Sequence, residues 1–218
     1  MTFKLKIVPL GDSALLIQLG DEIDITVNRQ VHTLAALVAA SRLNGIIETV
    51  PAYGTLLLHY DPLILTYSEM HEWVNARLDR IQDAKTREPR QLEVPVRYGG
   101  EHGVDLQFVA DYHHIGLEEV IRIHSKRIYT VYMMGFTPGF PYMGKLDDAI
   151  VTPRLETPRT RVPAGTVAIA GSQTGIYPMD SPGGWRLIGH TSLRLFDPES
   201  ESPFLFSPGD EVKFIAEN

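Results

Sequence analysis

The chain contains no cysteine. Disulfides, thiolate metal clusters and cysteine nucleophiles are therefore excluded. Positive charge is in short supply: 20 lysines and arginines face 27 acidic residues, a formal net charge of −7. Nucleic-acid-binding domains usually carry net basic charge or a strong basic patch, so no nucleic-acid partner is expected. Long apolar runs are missing too. No stretch approaches the 18 residues that mark a membrane span, and the opening MTFKLKIVPLGD has no signal-peptide core. A cytoplasmic protein without a membrane partner is the expectation.

Several chemical signatures are also absent. There is no HExxH, His71 and His124 fall on predicted helices without a spaced partner, and the adjacent His113 and His114 send their side chains apart. No metal site is expected. Ser172 and Ser181 do not sit in a GxSxG elbow, which removes support for a hydrolase triad. Gly139 to Lys145 has the GxxxxGK spacing of a phosphate-binding loop. However, Leu146 stands where the Mg²⁺-binding hydroxyl belongs, Pro141 deletes a backbone donor, and Asp147 and Asp148 put negative charge where phosphate would lie.

What remains is an ordinary globular composition, 44% hydrophobic and 22% charged. Leu5, Ile7 and Ala14–Leu19 read as strands joined at Gly11-Asp12. Asp24 caps a predicted helix with Val27, Val31, Leu34 and Val38 on one face, closed by Gly45. Ile46–Val50 and Thr55–Tyr60 read as paired strands. A second helix opens at Thr66, with Glu69 completing a capping box and Met70, Trp73, Val74, Leu78 and Ile81 facing inward. The charged, apolar-poor stretch Asp83–Arg90 marks a boundary, giving an α+β domain over 1–85 and a mostly β domain over 86–218. In the second domain, Leu92–Tyr98 and Arg127–Met134 read as strands, and Val104–Ala110 and Leu117–His124 as short helices.

The most informative stretch is Gly135–Gly189, which holds 16 of the 33 glycines and prolines in the chain. Phe136, Phe140, Tyr142, Tyr177 and Trp185 are interleaved with them, and linkers lack such bulk. Rigid turns carrying aromatic rings make a shaped surface. Phe136, Phe140, Pro141 and Tyr142 form a pocket wall or partner surface in this reading. Arg154, Arg159 and Arg161 stand close together with only Glu156 against them, in a segment stiffened by Pro153, Pro158 and Pro163. Arg159 and Arg161 share a face in extended backbone, and guanidinium forks bind carboxylate or phosphate. A self-neutralised surface loop is the competing reading. Gln173 and Tyr177 flank a glycine turn whose neutral donors and acceptors suit an amide or lactam, or else satisfy the local backbone. Trp185 and Arg186 follow another turn, delivered to a surface or, for the tryptophan, to a core. His190 is a weak candidate acid or base beside a structural hydrogen-bonding role.

The segments GFTPGFPYMG (135–144), TPRLETPRTRVPAGTVAIAG (152–171), QTGIYPMDSPGGWRLIGHTSLRLFDP (173–198) and SPGDEVKFI (207–215) resemble a known family. It includes the B subunit of bacterial 5-oxoprolinase, allophanate hydrolase subunit 1 and the Kip inhibitor of a sporulation histidine kinase. PLGDSALLIQLGDEID (9–24) and VPVRYGG (94–100) extend the likeness along nearly the whole chain. The resemblance implies an N-terminal α/β sandwich domain followed by a cyclophilin-like β-barrel, an architectural label without isomerase activity. It also implies a part in converting 5-oxo-L-proline, ATP and water to L-glutamate, ADP and phosphate. ATP, with Mg²⁺, would be used by the assembled complex with an A subunit and an allophanate-hydrolase-subunit-2-like C subunit. Arg159, Arg161, Gln173, Tyr177, Trp185 and Arg186 are then the expected substrate-binding residues. The same motifs also admit a non-catalytic kinase inhibitor or an allophanate- or urea-related hydrolase subunit.

Overall fold

The computed structural model describes residues 5–78, 81 and 89–217. The chain divides into two compact units, Met1–Glu88 and Pro89–Asn218. Most of the expected boundary, Asp83–Arg90, lies outside the described residues.

In the first unit, β1 (Lys6–Pro9), β2 (Ala14–Gln18), β3 (Ile46–Pro51) and β4 (Thr55–Tyr60) form an antiparallel sheet in the order β1-β2-β4-β3. Leu15 and Ile17 pair with Leu58 and Leu56. Strand alternation puts these four on one face, where they form a core with Val31, Leu34 and Val38 of α1 (Ile25–Ser41) and Met70 and Val74 of α2 (Tyr67–Asn75). Asp24 caps α1 by accepting from the Thr26 and Val27 amides, and the Thr66–Glu69 capping box forms at α2. One expectation needs correcting. Arg42, left-handed at φ +48°, ends α1, and the positive φ of Gly45 instead turns the chain into β3.

The second unit is a closed seven-stranded barrel. Its strands are β5 (Gln91–Tyr98), β6 (Ile128–Met134), β7 (Pro141–Gly144), β9 (Thr166–Ala170), β10 (Gln173–Ile176), β12 (Arg186–His190) and β13 (Glu211–Glu217), in the ring order β10-β7-β6-β13-β5-β12-β9. Strands β8 (Arg159–Val162) and β11 (Ser181–Gly183) form a separate two-stranded ribbon. The α+β class with a barrel domain is thus as read from the sequence. Val94, Val96, Val131, Val167, Ile169, Ile176, Ile188, Val212 and Phe214 contribute to the core, joined by Leu106 and Val109 of α3 (Leu106–His113) and Val120 of α4 (Leu117–Lys126).

Two polar features organise this core. Asp210 is buried and receives the Arg90 guanidinium and the Ser207 amide, tying the start of β13 to that of β5. His124, wholly buried on α4, lies between Tyr98 and Thr174. Thr174 Oγ1 donates to the Ala168 carbonyl at 3.1 Å, so it accepts from His124 Nε2–H at 2.9 Å. That leaves His124 Nδ1 to accept from the Tyr98 hydroxyl at 2.7 Å. Burial pushes the His124 pKa down to about 3, so the ring is neutral at physiological pH.

Candidate functional site

The site follows from a strand buried on both faces. Along β9 every residue is buried. Val167 and Ile169 enter the barrel core, while Ala168 and Ala170 join a second apolar cluster with Phe140, Val162, Tyr177, Trp185 and Leu187. Register carries this outer face across four strands: Tyr142 pairs with Gly175, Gly175 with Ala168, and Ala168 with Leu187. The two small residues at its centre leave room for rings. A Cβ on Gly175 would come within 2.9 Å of the Phe140 ring, and one on Gly183 within 2.2 Å of the Tyr177 hydroxyl. Glycine is required at both places by close approach.

The rings interlock edge to face. Phe140 contacts Tyr177 at 5.2 Å and Trp185 at 5.4 Å between centroids, and Tyr142 contacts Trp185 at 5.8 Å. Phe136 closes the group at 5.7 Å from Phe140. Burial raises the Tyr177 phenol, partly offset by a hydrogen bond with the Trp185 backbone and by the charge of Arg154. Burial also raises the Tyr142 phenol against the charge of Arg154. Both therefore stay protonated near neutral pH.

The proposed aromatic partner surface needs correcting. Phe140 is only 1% exposed and Pro141 is buried at the start of β7, so neither offers a contact surface on this chain. Tyr142 is partly buried. Phe136 is 60% exposed and sits at φ +63°, a conformation that aromatic residues rarely adopt. The buried Tyr177 and Trp185 are the base of the cluster.

The arginines separate. Arg159 donates to Asp105 at 2.7 Å and more weakly to the Trp185 carbonyl at 3.4 Å. Asp105 uses its other oxygen to accept from the Leu187 amide at 2.7 Å. Arg161 pairs with Asp180, whose carboxyl is held below its usual range by the Ala164 amide and by Arg161 itself. Arg159 and Arg161 stand two apart on β8, and acids on different elements engage them: Asp105 before α3 and Asp180 before β11. Arg186 donates to the Pro153 carbonyl at 3.2 Å and stacks over Phe108 at 3.6 Å. Gln173 shares the outer face with Tyr142 and Gly175, paired with Gly144 and Ala170. His190 bonds the Ala164 carbonyl at 3.0 Å beside the His102 ring, a structural engagement. Arg154 lies over Trp185 at 5.7 Å. Asp105 escapes a reading of the sequence because its partners are 54 and 82 residues away.

The GxxxxGK spacing does not make a nucleotide cradle. Pro141–Gly144 is strand β7, hydrogen-bonded to β6 on one side and β10 on the other, so its backbone is committed to the barrel. These residues do not fit ATP phosphates. Among the described residues no three His, Asp or Glu side chains gather into a metal-binding group. The outer side of the barrel thus gathers a largely buried aromatic cluster, the exposed Arg154 guanidinium over Trp185 and the Gln173 side chain.

The family described as carboxyltransferase domain, subdomain C and D, matches residues 5–206. The 5-oxoprolinase B subunit of Bacillus subtilis is 42% identical over 226 residues, covering 99% of this chain and 94% of that protein. The chain belongs to the family of 5-oxoprolinase B subunits. The Haemophilus influenzae protein of that name is also 42% identical, with 98% of each chain covered. The solved structure of the protein TTHA0988 superimposes with a TM-score of 0.84 at 39% identity, covering 94% of this chain and 40% of that one. The chain thus spans nearly all of the curated B subunits but less than half of that solved protein. Among the described residues no helix is long and apolar enough to cross a membrane.

Proposed function

We propose that the chain is the substrate-holding B subunit of an ATP-dependent 5-oxoprolinase, acting with A and C subunits to convert 5-oxo-L-proline, ATP and water to L-glutamate, ADP and phosphate. The observation that carries this reading is the identity with B subunits over almost their whole length. The outer face of the barrel supports it, because a lactam is small and flat, and it presents an amide edge to groups such as Gln173. A lactam carbonyl resists water through resonance, and phosphorylation of its oxygen would create a leaving group. The site in this chain has neither a phosphate cradle nor an activated nucleophile, so that step falls to the companion subunits. The B chain binds, orients and shields the substrate.

The test is co-expression with the A and C subunits, followed by an assay for glutamate that depends on both ATP and 5-oxoproline. The assembly should turn over and the isolated chain should not. An inactive assembly, with inhibition of a sensor histidine kinase by the chain alone, would replace this reading with the inhibitor one.

A further inference from the structure

Arg159, Arg161 and Arg186 all have partners within the fold, namely Asp105, Asp180, and the Pro153 carbonyl with the Phe108 ring. Arg154 differs. It is exposed, and among the described residues no carboxylate or carbonyl receives its guanidinium, which lies over the Trp185 ring. Its backbone, by contrast, is fixed on both sides. Thr152 is bridged to Gly171 and its carbonyl accepts from the Gly171 amide at 2.8 Å. The Pro153 carbonyl accepts from Arg186, and the Leu155 amide donates to the Gly184 carbonyl at 2.8 Å. Pro153 itself is fixed in φ.

A cation on a pinned backbone, held over an aromatic ring and without an internal counter-ion, is preorganised for an external anion. Its backbone entropy is already spent and no native ion pair has to break when a ligand arrives. Nearby, Tyr142 and Tyr177 are protonated phenols whose ionisation the charge of Arg154 would otherwise favour. A guanidinium fork fits a carboxylate bidentately, and the neighbouring rings fit a flat body attached to it.

We propose that Arg154 is the carboxylate anchor of this site, binding a small cyclic carboxylate whose planar amide lies against the partly exposed Tyr142 ring, next to the buried Trp185. The proposal rests on the B-subunit reading and names the group that selects its substrate. Arg159, the sequence-based candidate, becomes a support for the Trp185 backbone.

Two measurements test it. In the assembled complex, Arg154→Gln should raise KM for 5-oxoproline about ten- to a hundred-fold, with a smaller change in kcat and partial rescue in Arg154→Lys. A KM within about twofold of wild type in Arg154→Gln overturns the anchor. The second readout needs no turnover. In a Trp73→Phe background, Trp185 is the sole tryptophan of this chain. Its emission is titrated with 5-oxoproline, the neutral 2-pyrrolidinone and inorganic phosphate, using the full chain alone and in a complex whose partner subunits carry no tryptophan (Trp→Phe). A response to 5-oxoproline that exceeds both others and is lost in Arg154→Gln supports the anchor, even if the wild-type assembly proves inactive and the functional reading falls. A response equal to that of 2-pyrrolidinone, one confined to phosphate, one unchanged by Arg154→Gln, or none at all in either form overturns it.

Discussion

Arg159 and Asp105 form an ion pair at 2.7 Å between strand β8 and the residue that precedes α3, and Asp105 is almost fully buried. Because Asp105 also accepts from the Leu187 amide, one carboxylate links the ribbon, the barrel and a helix start. Asp105→Ala would leave a half-buried guanidinium and a buried amide without partners. The expected loss is about 2–4 kcal/mol of unfolding free energy, read by urea denaturation followed through Trp185 fluorescence in the Trp73→Phe background. Asp105→Asn should lose less, since an amide oxygen can still accept one of the two bonds. Equal stability of Asp105→Ala and wild type would show that the pair is ornamental.

His124 makes the fold acid-sensitive. Its pKa is depressed in the folded state to about 3, so the unfolded chain binds the proton first. The contribution is complete above the unfolded value near 6.5 and is lost progressively as pH falls from there toward 3. The slope is roughly 1.4 kcal/mol per pH unit, so moving from about pH 7.5 to about pH 5 should lower stability by about 2 kcal/mol. Denaturant titrations at both pH values check this, and His124→Gln should show a flatter pH dependence on a lower baseline.

Phe136 offers a test that separates a functional from a structural role. It is the exposed member of the aromatic group and holds a left-handed backbone that glycine adopts freely. Phe136→Gly should keep or slightly raise the unfolding free energy, by at most about 1 kcal/mol. The same variant should weaken 5-oxoproline turnover or subunit assembly several-fold. A variant that is less stable but fully active would reverse the assignment.

The unit Pro89–Asn218 has a core of its own, distinct from the cluster of the first unit. Expressed alone, it should unfold cooperatively and show the near-ultraviolet circular dichroism of a packed aromatic cluster. A molten, featureless spectrum would mean that the first unit is needed for folding.

Local signals are legible in the sequence. The Thr66–Glu69 box needs only a spacing of three, and its reciprocal bonds form as expected. Strand β5 announces itself by the alternation of Leu92, Val94, Val96 and Tyr98, whereas β9, buried on both faces, does not. Where two local candidates compete, the reading fails: Arg42 ends α1 because its amide reaches the Ala39 carbonyl, whereas the general preference for glycine points to Gly45. The candidate site is legible as a region but not as a set of contacts. Phe140 is buried because Ala168 and Gly175 stand opposite it, which is visible only once the strand register is known. The fate of each arginine depends on acids from other elements, Asp105 before α3 and Asp180 before β11.

The parallel pairing of β13 with β5 has a consequence for how the second unit is made. Its ring is completed between β6 and β5 by the strand that follows all the others in the chain, Glu211–Glu217. Until that strand leaves the ribosome, two barrel edges lack their partner. The Arg90–Asp210 latch is also open, because Asp210 immediately precedes the missing strand. Such edges are templates for pairing with other chains. A nascent chain stalled before Asp210 would thus be the form most prone to aggregate. Every residue of the aromatic face precedes the strand that seals the barrel.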